Sequence, residues 1–159
     1  MQDCSIGNGM GISTYYRENL FRKEDEYVTQ DMQVTRLTSE NLDIIAVYRS
    51  SRGSLTVLKN KLKQLISDKD KPVLITGDFN LCYLTQKNNQ ISKELERDGC
   101  QQMMRYPTHV KGGHIDHVYW RDGNKIWGNP VIERYSPYYT DHDASLVIIP
   151  GPVTVNGNN

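Results

Sequence analysis

At 159 residues the chain is one ordinary domain or a piece of a larger one. Its 19 Lys+Arg balance 19 Asp+Glu, which excludes a generalised basic footprint for nucleic acid while leaving room for a local basic face. The 37% hydrophobic share is lean for a free-standing domain, and no apolar run approaches the ~18 residues of a membrane helix.

Strands are predicted over 12–16, after the glycine-rich run 7–11, and over 27–38, where Val28, Met32, Val34 and Leu37 carry the alternation. Between them, Arg17, Arg22 and Lys23 mix with Glu18, Glu24, Asp25 and Glu26, as in a solvated loop. Residues 42–48 are short, β-branched and mostly apolar, the pattern of a buried strand. Ser54 opens a helix in which Leu55, Leu58, Leu62, Leu65 and Ile66 form one stripe and Lys59, Lys61 and Lys63 the solvated side. A strand over 72–76 ends on Gly77-Asp78-Phe79-Asn80, and 91–104 reads as another helix. Three more strands follow over 115–120, 131–135 and 145–149, with Asp122-Gly123-Asn124 the clearest turn. No repeat or linker divides the chain, so 1–150 is expected to be one domain and 151–159 a disordered tail.

Three cysteines without a Cys-x-x-Cys pair, no glycosylation sequon and no N-terminal signal pattern fit an intracellular protein, nuclear or cytoplasmic and not secreted.

Three segments share one design, a strand bordered by carboxylate, amide or imidazole groups. They are Gly77-Asp78-Phe79-Asn80, His114-Ile115-Asp116-His117 and Thr140-Asp141-His142. Any one of them alone reads equally as a turn, since Gly, Asp and Asn are turn residues. Asp116 is harder to dismiss, because aspartate is depleted in strands and a buried carboxylate needs a partner. Together they make an oxygen-rich site with one imidazole, suited to a hard divalent cation and a phosphate. Strand alternation puts His114, Asp116 and Val118 on one face and turns His117 away, so His117 is left out. A zinc site from His109, His114, His117 and His142 competes, but its spacing lacks paired ligands and no cysteine lies nearby. The run 7–11 precedes a strand instead of joining a strand to a helix, the wrong context for a phosphate loop.

These motifs, in this order over roughly 10–150, resemble the endonuclease/exonuclease/phosphatase superfamily. Gly77-Asp78-Phe79-Asn80 is similar to its Gly-Asp-Phe-Asn motif, and Ile115-Asp116-His117-Val118 to its second motif strand, with Thr108 ahead of it. Thr140-Asp141-His142 is similar to its terminal Ser-Asp-His, and Ala46-Val47-Tyr48 to the strand whose tyrosine faces the site. The stretch 107–118 looks closest to the endonuclease domains of mobile elements, or to apurinic-type endonucleases.

The resemblance implies an α/β layered sandwich, two packed β-sheets flanked by helices and DNase-like. It implies that Asp78 and Asn80 activate and position a water, with Asp78 the general base. His142 would bond the scissile phosphate with Asp116 behind it, and Tyr48 would reach the same phosphate. Asp141, with Asp78, would hold Mg2+ or Mn2+. Arg49 and Arg52, just after the Tyr48 strand, are expected at the rim as phosphate contacts. The partner implied is nucleic acid, DNA in preference to RNA, with no membrane. The family's asparagine and glutamate strands precede the part matched here, so the fold is expected to be N-terminally incomplete and this chain alone a poor or inactive Mg2+-dependent endonuclease. The alternatives are a non-catalytic remnant that binds nucleic acid or a protein, and a phosphatase of the same superfamily.

Overall fold

The computed structural model describes residues 3–6, 10–86 and 90–151. Its strands are β1 (Asp3–Ile6), β2 (Met10–Ser13), β3 (Arg22–Thr29), β4 (Met32–Thr38), β5 (Asp43–Arg49), β6 (Val73–Asp78), β7 (Gln101–Gln102), β8 (Asp116–Arg121), β9 (Val131–Tyr135) and β10 (Ala144–Ile148). The helices are α1 (Leu55–Leu65), α2 (Tyr83–Gln86) and α3 (Gln90–Arg97). A six-stranded mixed sheet runs β3-β4-β5-β6-β8-β7, while β9 with β10 and β1 with β2 form two-stranded sheets. β5 and β6 are parallel, which requires a crossover, and α1 supplies it.

Each face of the large sheet buries its own layer. α1 starts at Ser54, whose hydroxyl accepts from the Val57 amide at 3.3 Å, and buries Leu58, Leu62 and Leu65. With Ile91 and Leu95 of α3, these side chains cover Val34, Ile45, Val47, Ile75, Phe79 and Tyr119. On the other face Leu74, Val118, Trp120, Leu42 and Met104 pack against Ile132 and Val147 of β9 and β10. The order helices, large sheet, small sheet is an α/β sandwich with sheets of unequal size among the described residues. The two faces also explain why 44–47, in the middle of β5, reads as a continuous apolar run instead of an alternating one. Among the described residues, no helix is long and apolar enough to cross a membrane.

Three elements differ from expectation. The strand expected over 27–38 is a hairpin: β3 and β4 pair antiparallel, with Thr29 opposite Met32. The reversal is set by local polar bonds, since the Thr29 hydroxyl accepts from the Asp31 amide, at 3.4 Å, and donates to the Met32 carbonyl, at 3.3 Å. The charged stretch at 22–26, expected as a loop, is part of edge strand β3. Charge suits an edge, where it discourages pairing with another chain, and Lys61 of α1 reaches Asp25 at 2.8 Å. The helix expected over 91–104 stops at Arg97, because Gly99 takes φ 80° and lets the Cys100 amide bond back to the Leu95 carbonyl at 2.8 Å. The expected tail beyond Gly151 lies outside the described residues.

Candidate active site

The site grows from one row across the large sheet. Tyr48 of β5 is in register with Asp78 of β6, and Asp78 is in register with Asp116 of β8. Directly paired residues share a sheet face, so the phenol and two carboxylates stand side by side where β5 and β6 end and β8 begins. Gly77 permits that row: with φ 139°, a Cβ there would lie 1.9 Å from the Val47 carbonyl oxygen.

Asp78 is held by the turn that follows it. One carboxylate oxygen accepts from the Asn80 backbone amide at 2.8 Å, and the other from the Asn80 side-chain amide at 3.1 Å. Asn80 adopts the left-handed conformation, φ 46°, which asparagine tolerates better than most residues. Its side chain also donates to the Arg49 carbonyl at 2.9 Å. Burial raises the Asp78 pKa; the Asn80 amide opposes this, the nearby Asp116 charge adds to the rise, and His142 and Arg49 lower it. Tyr48 is likewise raised, by burial first and then by the Asp78 and Asp31 charges.

Arg49 lies elsewhere than the rim position expected of a phosphate contact. It is 4% exposed, and its guanidinium donates to the carbonyls of Phe79 at 2.8 Å, Gly53 at 2.7 Å, Asn80 at 2.9 Å and Ser51 at 3.4 Å. Those bonds join the two loops that follow β5 and β6, which makes Arg49 part of the scaffold beneath Asn80. Burial accordingly lowers its pKa, while Asp78 works against that fall. Arg52 is the exposed arginine of the pair, 3.6 Å from Asp31.

Asp116 is brought in by Thr108, a fully buried residue whose hydroxyl accepts from the amides of Ile115 and Asp116 at 3.2 and 3.1 Å. The same loop holds the third motif through backbone bonds from the Asp143 amide to the Thr108 carbonyl, 2.7 Å, and from the Val110 amide to the Asp141 carbonyl, 2.9 Å. His142 is thereby delivered to Asp116, with Nδ1 2.9 Å from the carboxylate. Burial alone would lower the His142 pKa, but the Asp116 hydrogen bond and the charges of Asp116, Asp78 and Asp141 raise it overall. Single ligand atoms of Asp78, Asp116 and His142 lie within 4.8 Å of one another.

His117 turns into the helix-side core, as alternation requires. It stacks on Phe79 with centroids 4.6 Å apart and bonds the Leu81 carbonyl at 2.8 Å, and burial drives its pKa down to about 4. His114 does not share the Asp116 face as expected. β8 begins only at Asp116, so alternation does not extend back to it, and the buried His114 ring sits 5.4 Å from that of His117. The four-histidine zinc arrangement is therefore not assembled: among the described residues, neither candidate metal group contains His114 or His117.

His109 belongs to the site in a way sequence spacing did not reveal. It bridges to His142 in an isolated β-pair, and its Nε2 lies 3.1 Å from the Asp141 carboxylate. Because Nδ1 accepts the Lys111 amide at 3.1 Å, the neutral ring carries its proton on Nε2 and donates it to Asp141. Asp141 itself is exposed, and its pKa is lowered by its own backbone amide first and then by His109 and His142. The donors around this edge are mostly carboxylate oxygens, and Asp78 and Asp116 repel each other across the strand pair. Both features fit a hard divalent cation such as Mg2+ or Mn2+.

A carboxylate held by an Asx-type turn thus stands beside an Asp–His pair at one edge of an α/β sandwich. The chain belongs to the Endonuclease/Exonuclease/phosphatase family, whose sequence profile matches residues 3–142. Among solved structures it is similar to the endonuclease domain of TRAS1, a telomere-specific non-LTR retrotransposon, at 13% identity and TM-score 0.57, over 84% of this chain and 68% of that one. It also resembles the Haemophilus ducreyi cytolethal distending toxin at 14% identity and TM-score 0.56, over 83% of this chain and 58% of that one. CdtB, the biologically active subunit of cytolethal distending toxin, aligns at 12% identity and TM-score 0.50, over 80% of this chain and 56% of that one. The chain thus spans less than two thirds of both toxin structures. Comparison with curated protein sequences gives no match.

Proposed function

We propose that the chain cleaves phosphodiester bonds in nucleic acid, DNA in preference to RNA, as an endonuclease of mobile-element type that uses Mg2+ or Mn2+. The observation that carries this reading is the Tyr48–Asp78–Asp116 row, completed by the 2.9 Å contact between Asp116 and His142. Asp78, made more basic by burial, takes the proton of an attacking water. Asn80 fixes the Asp78 carboxylate through two bonds and so the direction of that proton transfer. His142, whose charged form Asp116 favours, donates to a non-bridging phosphate oxygen from Nε2 when protonated, while Tyr48 donates to the same phosphate. Asp141 and Asp78, which belong to two separate groups that share His142, are the carboxylates that would hold a cation, which when bound would polarise a phosphoryl oxygen and ease water deprotonation. Arg52, exposed at the rim, is the remaining phosphate contact. The likeness to the TRAS1 endonuclease domain supports a nucleic-acid substrate.

One observation favours a second reading, binding without rapid turnover. Among the described residues the candidate ligands fall into two groups, Asp78–Asp116–His142 and His109–Asp141–His142, and neither holds both Asp78 and Asp141. Mg2+ demands near-octahedral geometry and gives up water reluctantly, so carboxylates divided between two groups cost affinity and alignment. Slow chemistry is therefore expected, with Mn2+ supporting it better than Mg2+. A plasmid-nicking assay with each metal, with EDTA and with Asp78→Ala separates the two readings.

A further inference from the structure

The turn joining β9 to β10 carries two aromatic rings that the fold does not use. Tyr138 is 101% exposed and Tyr139 79%, with ring centroids 5.5 Å apart and planes at 88°. The ends of this turn are tied down. The Ser136 hydroxyl donates to Asp143 at 2.6 Å, Arg134 lies 3.6 Å from the same carboxylate, and the His142 amide bonds the Thr140 hydroxyl at 3.2 Å. Across the site, the Asp141 carbonyl and Asp143 amide are fixed to the 108–110 segment. The tyrosines thus project from an anchored turn.

We propose that Tyr138 and Tyr139 form an aromatic corner that stacks one unpaired base of a nucleic-acid strand whose phosphate lies at His142. The inference rests on the phosphodiesterase reading of the site and adds the substrate class, a strand with an unstacked base. Two perpendicular rings cannot both lie flat on a bilayer or on a flat protein face. They do accommodate one planar ring, face against one tyrosine and edge against the other. Reach fits as well: His142 is three residues on from Tyr139, so their Cα atoms are at most about 11 Å apart. That span allows a stacked base to lie within a nucleotide or two of a phosphate bound at His142. Base faces are accessible only when a base is single-stranded or extruded from a duplex, and aromatic platforms of this kind tolerate any base.

The test is fluorescence anisotropy of labelled 12-nucleotide single-stranded DNA and of the matching duplex, at low salt with EDTA so that nothing is cleaved. Tyr138→Ala and Tyr139→Ala should each weaken single-strand binding about tenfold, while Tyr138→Phe and Tyr139→Phe retain it, because the ring face and not the hydroxyl makes the contact. Exposed side chains contribute little to folding, so thermal melts of all four variants should match the wild type. Three outcomes overturn the proposal. They are equal single-strand affinity in the alanine variants, an equal loss on duplex and single strand, and a loss of binding to anionic phospholipid vesicles with DNA binding intact. Hydrolysis of bis(p-nitrophenyl) phosphate by the wild-type chain with Mn2+ tests the underlying chemistry separately. Its failure would remove the phosphodiesterase reading without changing the anisotropy result.

Discussion

Replacing Arg49 with Met should destabilise the whole domain, although a surface phosphate contact would be nearly neutral for folding. The buried guanidinium donates to the Gly53, Phe79 and Asn80 carbonyls at 2.7, 2.8 and 2.9 Å, and methionine fills a similar volume without donors. An orphaned buried carbonyl costs roughly 1–3 kcal/mol. Three of them, partly relieved by water entering from the loop side, give about 3–5 kcal/mol, a large share of the ~5–15 kcal/mol that holds a domain together. With a urea m-value of ~1–3 kcal/mol/M, the midpoint should fall by about 2 M at unchanged slope. Trp120, 3% exposed in the opposite core layer, supplies the fluorescence signal. Arg49→Lys should lose roughly half as much, since an ammonium cannot serve carbonyls spread around a planar fork. A Met variant that unfolds at the wild-type urea concentration, with only substrate affinity reduced, would refute the scaffold role and restore Arg49 to the rim.

Asp116→Ala should lower the His142 pKa, read from the imidazole protons by NMR titration, because the hydrogen bond and charge that favour the imidazolium disappear. The folded-state pKa is raised, so the pair's contribution to stability is full below the unfolded value of ~6.5 and is lost as pH rises through the folded pKa; the wild-type advantage over the variant should shrink accordingly. An unmoved titration would contradict the pairing. His109→Ala should weaken Mn2+ binding, measured by calorimetry, about tenfold, the lower end for residues that orient a metal ligand, because Asp141 is exposed. His109→Gln keeps a donor near the Nε2 position and should recover most of that affinity; equal losses in both variants would count against an orienting role.

Much of this structure was legible because local chemistry and tertiary role coincide. The apolar run 42–48 and the stripe from Leu55 to Ile66 place β5 and α1 within a residue or two, since burial on both faces or on one stripe leaves its own period in the sequence. The pairing of Asp116 with His142 was expected from the family resemblance of the three motifs, and the two groups meet at 2.9 Å. The β3–β4 reversal was hidden because the apolar alternation continues across the turn: Val28, 49% exposed, reads no differently from Met32, 2% exposed. Arg49 was misjudged because arginines are usually exposed, and only the fold shows four carbonyls converging on one guanidinium. His109 stood out only beside the other histidines, and its link to Asp141 was hidden because it spans 32 residues and depends on a loop held by Thr108.

The central claim, that Asp78, Asp116, His142 and Asp141 assemble one metal-dependent phosphodiesterase site, is tested most directly by conversion of supercoiled plasmid to nicked circles. The reaction should be slow, faster with Mn2+ than with Mg2+, blocked by EDTA, and abolished by both Asp78→Ala and His142→Ala in variants that melt like the wild type. Nicking that persists in Asp78→Ala, or none at millimolar Mn2+, would contradict it.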